Sequence, residues 1–206
     1  MTSRVLPLSV EELLEAIAGE ITFCPRCRLS DTRKKAVPGE GSARSKVMLV
    51  GEGPGRNEDA EGRPFVGQAG KFLETLLTEA GLARSEVFIC NVVRCRPPEN
   101  RDPLPDEIDA CTPYLNRQIA LIKPKVIVSL GKHSTAYIFS KAKLPFDNIT
   151  KARGRFHETK LWGMQIRVFP TFHPAAALYS GEYKNQLVED FRLLGKELVR
   201  IGITKQ

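Results

Sequence analysis

Three short stretches of this 206-residue sequence carry side chains able to do chemistry on a flat ligand. "LVGEGPGRNEDAEGRPFVGQAGKFL" starts like a phosphate-binding glycine loop, yet Glu52 sits between Gly51 and Gly53, and Glu58, Asp59 and Glu61 follow. A carboxylate touching a phosphate is repelled by about 1 kcal/mol even in water, and by more once desolvated. No G-K-[ST] completes a P-loop. The glycines instead let the backbone approach a planar group closely. Phe65 can supply an aromatic face. Asn91, in "EVFICNVV", offers a donor and an acceptor side by side, which matches one edge of a nucleobase. His173, in "PTFHP", can donate to an oxygen that becomes negative, and Glu52 can position or deprotonate a water. A base that is stacked, read along its edge and cut from its sugar uses every one of these groups.

The elements that must position them follow from periodicity. Ser9 and Glu12 form a capping box ahead of a helix in "LSVEELLEAIAGEI". Apolar bounded runs predict strands at Lys46–Gly51, Glu86–Val93, Lys125–Gly131 and Gln165–Pro174. Helical spacing predicts helices at Gly67–Leu82, Asp106–Ile122, His133–Ser140 and Asn185–Ile201. The stretch Lys141–Thr159 reads as an ordered loop or a short extra strand. Strands alternating with helices predict a parallel sheet covered on both faces, in one domain spanning 1–206. In such sheets ligands bind outside the carboxyl ends of the strands, where Glu52, Asn91 and His173 all fall.

Composition narrows the partners. The formal charge of +7 favours a polyanion, and nucleic acid is the commonest one. No apolar run reaches membrane-span length and no signal-peptide core opens the chain, so a cytoplasmic protein is expected, with no membrane partner and as a monomer. Disulfides are rare in that compartment. The cysteines therefore read differently: Cys24 and Cys27 make a C-x2-C pair, Cys95 and Cys111 lie downstream, and Cys90 stands within an apolar run.

The motifs "GEGPGRNEDAEGRPFVGQAG", "NVVRCRPPENRDP", "ITKARGRF" and "PTFHPAAAL", with "CPRC" near the start, resemble those of the family 4 (iron–sulfur) uracil-DNA glycosylases over nearly the whole chain. The resemblance implies a three-layer α/β/α sandwich around a four-stranded parallel sheet. It implies a [4Fe–4S] cluster on Cys24, Cys27, Cys95 and Cys111, although by spacing alone the same cysteines serve zinc equally well. It further implies flipping of uracil out of DNA. Uracil would stack on Phe65 and be read by Asn91, with Glu58 near its C5. His173 and the Gly53 amides would stabilise the uracil anion, and Glu52 would activate water. Alanines at 175–177 replace bulkier residues of relatives, leaving Leu178 or Tyr179 to fill the duplex gap. Arg63, Arg94, Arg101, Lys151, Arg153 and Arg155 are candidate phosphate contacts. A sliding clamp or polymerase is a conceivable recruiting partner. The rival reading is a uracil-binding or polymerase-associated module without cleavage.

Overall fold

The computed structural model of the chain describes residues 8–204. Helix α1 (Val10–Thr22) begins at the expected capping box: Ser9 N–H donates to Glu12 Oε2 at 2.7 Å, and Glu12 N–H donates to Ser9 Oγ at 3.2 Å. A one-turn helix α2 (Leu29–Thr32), strands β1 (Glu40–Gly41) and β2 (Val47–Gly51), and helices α3 (Arg56–Glu61) and α4 (Gln68–Glu79) follow. Next come β3 (Val87–Asn91), α5 (Pro105–Ile122), β4 (Val126–Leu130), α6 (Lys132–Ala142) and α7 (Ile149–Ala152). The chain closes with β5 (His157–Leu161), β6 (Met164–Thr171) and α8 (Gly181–Arg200).

One sheet runs in the order β1-β3-β2-β4-β6-β5. Its four inner strands, β3, β2, β4 and β6, are parallel, which is the expected sheet. Two antiparallel edge strands extend it: β1 beside β3 and β5 beside β6. Both lie where apolar patterning is weak. β1 has only two residues, and β5 ("HETKL") is an edge strand with polar positions. The β5–β6 hairpin turns through Trp162 and Gly163, both at positive φ (48° and 78°), the geometry that matches strand twist in two-residue turns. The stretch expected to be loop or strand is thus α7 followed by β5.

Alternation along the strands builds two cores. Met48, Val50, Phe88, Cys90 and Ile127 face the layer with α1, α5 and α6. Val47, Leu49, Val87, Ile89, Val126 and Val128 face the layer with α4 and α8. Both faces are apolar because helices cover both, which is why the strands read as continuous hydrophobic runs. Among the described residues no helix is long and apolar enough to cross a membrane.

Candidate active site and cysteine centre

The site is built at the carboxyl ends of the inner strands. Gly51 ends β2 and pairs in register with Asn91, which ends β3. A Cβ at Gly51 would collide with Asn91 Oδ1 and lie 2.8 Å from Phe65 Cζ, so only glycine lets both side chains close over the strand end. Asn91 is buried at 1% exposure, and its Oδ1 has no hydrogen-bond partner. Phe65, at φ 51°, packs its backbone onto α4 at Gly70, where any Cβ would run into the Phe65 carbonyl. Arg84 Nη2 donates to the Pro64 carbonyl at 2.6 Å and secures this loop.

The Phe65 and His173 rings stack with centroids 5.6 Å apart and planes 27° from parallel. His173 follows β6, and its Nδ1 accepts the Ala175 N–H at 3.2 Å. Nδ1 is therefore unprotonated and the neutral ring carries its proton on Nε2. Burial drives the His173 pKa down to about 4, with Glu58 opposing, so the ring is neutral at pH 7. Glu58 Oε1 accepts the Val66 and Gly67 N–H groups at 2.9 Å each, and Oε2 accepts the Gly55 N–H at 3.1 Å. The residue read from the sequence as a neighbour of uracil C5 also pins the glycine loop to the Phe65 loop.

Glu52, Gly53, Glu58, Phe65, Asn91 and His173 together line one cleft of about 310 Å³. Convergence of Glu52, Asn91 and His173 was expected from the strand-end rule. Two further residues beside Glu52 were not foreseen. His133, in the first turn of α6, places Nε2 2.9 Å from Asp102 Oδ2. Burial pushes the Glu52 carboxyl upward; His133 and Lys132 oppose this and Asp102 adds to it. His133 follows the end of β4 by the same logic that singled out His173, so a signal existed. Asp102 lies in the proline-rich loop, and nothing local marks it.

The basic candidates separate. Arg101 and Tyr179 line the cleft, with Tyr179 89% exposed at its edge. Leu178 is exposed and lies outside the lining. Arg94 is a correction: at 1% exposure it cannot reach a phosphate, and its Nη2 donates to Gln118 Oε1 at 2.6 Å. Arg153 is engaged internally by Asp190 at 2.7 Å, whereas Arg63 stays exposed and pairs with Glu40 at 2.8 Å on the surface. Lys151 pairs with Asp147, and the exposed Arg155 donates to the Lys151 carbonyl.

The uracil DNA glycosylase superfamily model matches residues 38–192. The chain is 52% identical over 192 residues to the type-4 uracil-DNA glycosylase of Saccharolobus solfataricus, covering 93% of this chain and 89% of that protein. It is 56% identical over 180 residues to that of Sulfurisphaera tokodaii (87% and 82%), and 43% identical over 185 residues to that of Archaeoglobus fulgidus (90% and 93%). The chain belongs to the type-4 uracil-DNA glycosylases.

In this type-4 chain the four cysteines come together from three segments. Cys24 and Cys27 after α1, Cys95 after β3 and Cys111 in α5 ring one cavity with Arg33 and Arg94. Burial raises the Cys27 and Cys95 thiols and pushes Cys111 up to about 12, so ligation must displace protons. Two arginines face the same cavity. Arg33 Nη1 donates to Cys95 Sγ at 3.2 Å, and Arg94 Nε and Nη1 are buried without partners. Cys90 is a fully buried core residue on β3.

Proposed function

We propose that this protein removes uracil from DNA by hydrolysing the bond between the base and its deoxyribose, leaving an abasic site. The observation that carries the reading is Asn91 Oδ1: a buried acceptor with no partner, at the end of a cleft walled by an aromatic ring. Buried polar atoms are nearly always paired, so an orphan of this kind marks a place for a ligand donor. Uracil's N3–H supplies that donor, while its O4 accepts from the Asn91 amide. Cytosine offers an acceptor at N3 and a donor at C4, the reverse pattern. A target base reaches the cleft by leaving the stack, and Phe65 provides its platform.

Bond cleavage sends the C1′–N1 electron pair onto uracil and leaves positive charge on the sugar. The neutral His173 donates from Nε2 toward the developing uracil oxyanion, and amides around Gly53 add to this stabilisation. Glu52 orients the attacking water and accepts its proton as the new C1′–O bond forms, while its charge favours the cationic sugar. The uracil anion then takes a proton from solvent. Glu58 keeps the glycine loop and the Phe65 loop in register and narrows the space available to a thymine methyl.

Cys24, Cys27, Cys95 and Cys111 would hold a [4Fe–4S] cluster, with Arg33 and Arg94 offsetting its negative charge. Such a group supplies cross-linking between α1, the loop after β3 and α5, and no electron-transfer step is required of it. Tyr179 is the better placed of the two wedge candidates, and Arg101 is the basic candidate at the cleft. Excision from an oligonucleotide with one uracil, followed by alkali, tests the reading. Cleavage is expected with uracil only and is lost in Glu52→Gln; retention of uracil DNA without cleavage by the wild-type protein would favour the binding-module alternative.

A further inference from the structure

We propose that His133, aimed by Asp102, is a positioning residue for Glu52 that sets both the direction and the charge of its carboxylate. The inference rests on the reading of Glu52 as the water-activating group. One ligand-capable atom of each of Glu52, Asp102 and His133 lies within 4.8 Å of the others. The three come from separate elements: the glycine loop after β2, the proline-rich loop before α5, and the first turn of α6.

Glu52 has conflicting requirements. It lines the cleft, where closure around a base removes water, and removal of water favours the neutral acid. Water activation and sugar-cation stabilisation both need the anion. A cation beside it resolves the conflict. His133 is only 19% exposed in its side chain, so its charge acts through a poorly screened path. Asp102, 73% exposed in its side chain, orients the ring by contacting Nε2 at 2.9 Å. Lys132, in the same turn of α6, adds positive charge. Arg101 and Glu58 are the other charged groups on the cleft, and His173 is neutral there.

The backbone around Asp102 is held: Arg101 Nη1 donates to the Asp102 carbonyl at 2.9 Å. Arg101, its neighbour, donates twice to the buried Glu107 at 2.6 and 2.8 Å, and Leu104 N–H donates to the same carboxylate at 2.8 Å. This loop runs from Cys95 to the helix that carries Cys111. A group held by Cys95 and Cys111 would tie down both ends of the segment that carries Asp102.

The test is the pH dependence of single-turnover uracil excision for wild type, His133→Gln, His133→Lys and Glu52→Gln, with thermal unfolding to show that each is folded. Removing the imidazolium raises the pH at which Glu52 ionises. His133→Gln should therefore shift the acidic limb to higher pH by about one unit, a roughly tenfold greater loss at low pH than on the alkaline plateau. His133→Lys restores a cation and should move the limb back. An equal loss at every pH in both variants, or an unshifted limb while Glu52→Gln is inactive, would overturn the role of His133 alone. Full activity of Glu52→Gln would overturn the assignment of Glu52 and this inference with it. If His133→Gln does not fold, the limb of His133→Lys decides: a shifted limb despite the cation counts against the inference.

Discussion

Ala175 donates its backbone N–H to His173 Nδ1 across 3.2 Å, and this bond decides which ring nitrogen bears the proton. A neutral, Nε2-protonated donor is matched to a forming anion, since it needs no prior protonation. Desolvation of the half-buried ring holds its pKa down at about 4 in the fold, against an ordinary value of 6.5. The sign is that of a depressed group: its stabilising contribution is complete above pH 6.5 and is lost as pH falls toward 4, because the unfolded chain takes the proton first. Wild type should lose up to about 3 kcal/mol across that window through this residue. Denaturant titrations of His173→Gln should show a correspondingly flatter dependence between pH 6.5 and 4.

Asn91→Ala should fold normally, because the substitution removes an acceptor that has no partner in the free protein. Its uracil excision should fall by about 10²- to 10³-fold, the scale for losing one well-placed polar contact to a transition state. Single-turnover rates on uracil DNA check this. Unchanged rates would take Asn91 out of base reading.

Gly51→Ala should be harmful in a specific way. Its methyl would strike Asn91 Oδ1 and Phe65 Cζ. Overpacking of this kind costs about 1–3 kcal/mol. Gly195→Ala, where a Cβ would sit 2.9 Å from the Ala80 backbone between α4 and α8, should cost a similar amount of stability. Only Gly51→Ala should abolish excision by the folded fraction, measured below both melting transitions.

On the proposed cluster assignment, Cys95→Ser should reduce iron per chain, visible absorbance and thermal stability. Arg94→Met is the more informative variant. Its guanidinium is buried with two orphan nitrogens, so without a neighbouring anion the charge is a liability. In a chain loaded with an anionic cluster, losing Arg94 should reduce iron retained per chain after anaerobic purification. One zinc per chain in the wild type, with no iron, would contradict the cluster assignment.

Affinity for uracil DNA should fall steeply with salt, by a slope of about 0.9 per phosphate neutralised. Arg155→Ala, at an exposed position, should reduce that slope by about one contact. Arg63→Ala should reduce it less, because Glu40 competes for the exposed guanidinium. A flat salt response of the wild type would make the net charge of +7 incidental.

Much of this was written in the chain itself. The inner strands could be read because helices cover both of their faces, leaving runs such as "KVMLVG" and "KVIVSLG" with no polar interruption. Glu52, Asn91 and His173 could be brought together because parallel strands end on one edge whatever their separation along the chain. Ser9 and Glu12 announced their helix because a capping box is a local bond pair.

Other features depend on contacts between distant segments and were decided by tertiary structure alone. β1 and β5 carry little apolar signal and exist because an inner strand offers each an edge to pair with. Arg94 sits beside Arg96 in a loop that reads as basic, yet packing against Gln118 and the cysteines turns it inward. Arg63 and Arg153 look free in sequence until Glu40 and Asp190 meet them. Asp102 and His133 are 31 positions apart, counted from 102 to 133, with nothing in either neighbourhood to pair them. Their meeting beside Glu52 depends on how a loop anchored at Cys95 crosses the start of α6. Residue types determine what chemistry is available; the burial and distance that tune it arise only when the chain closes on itself.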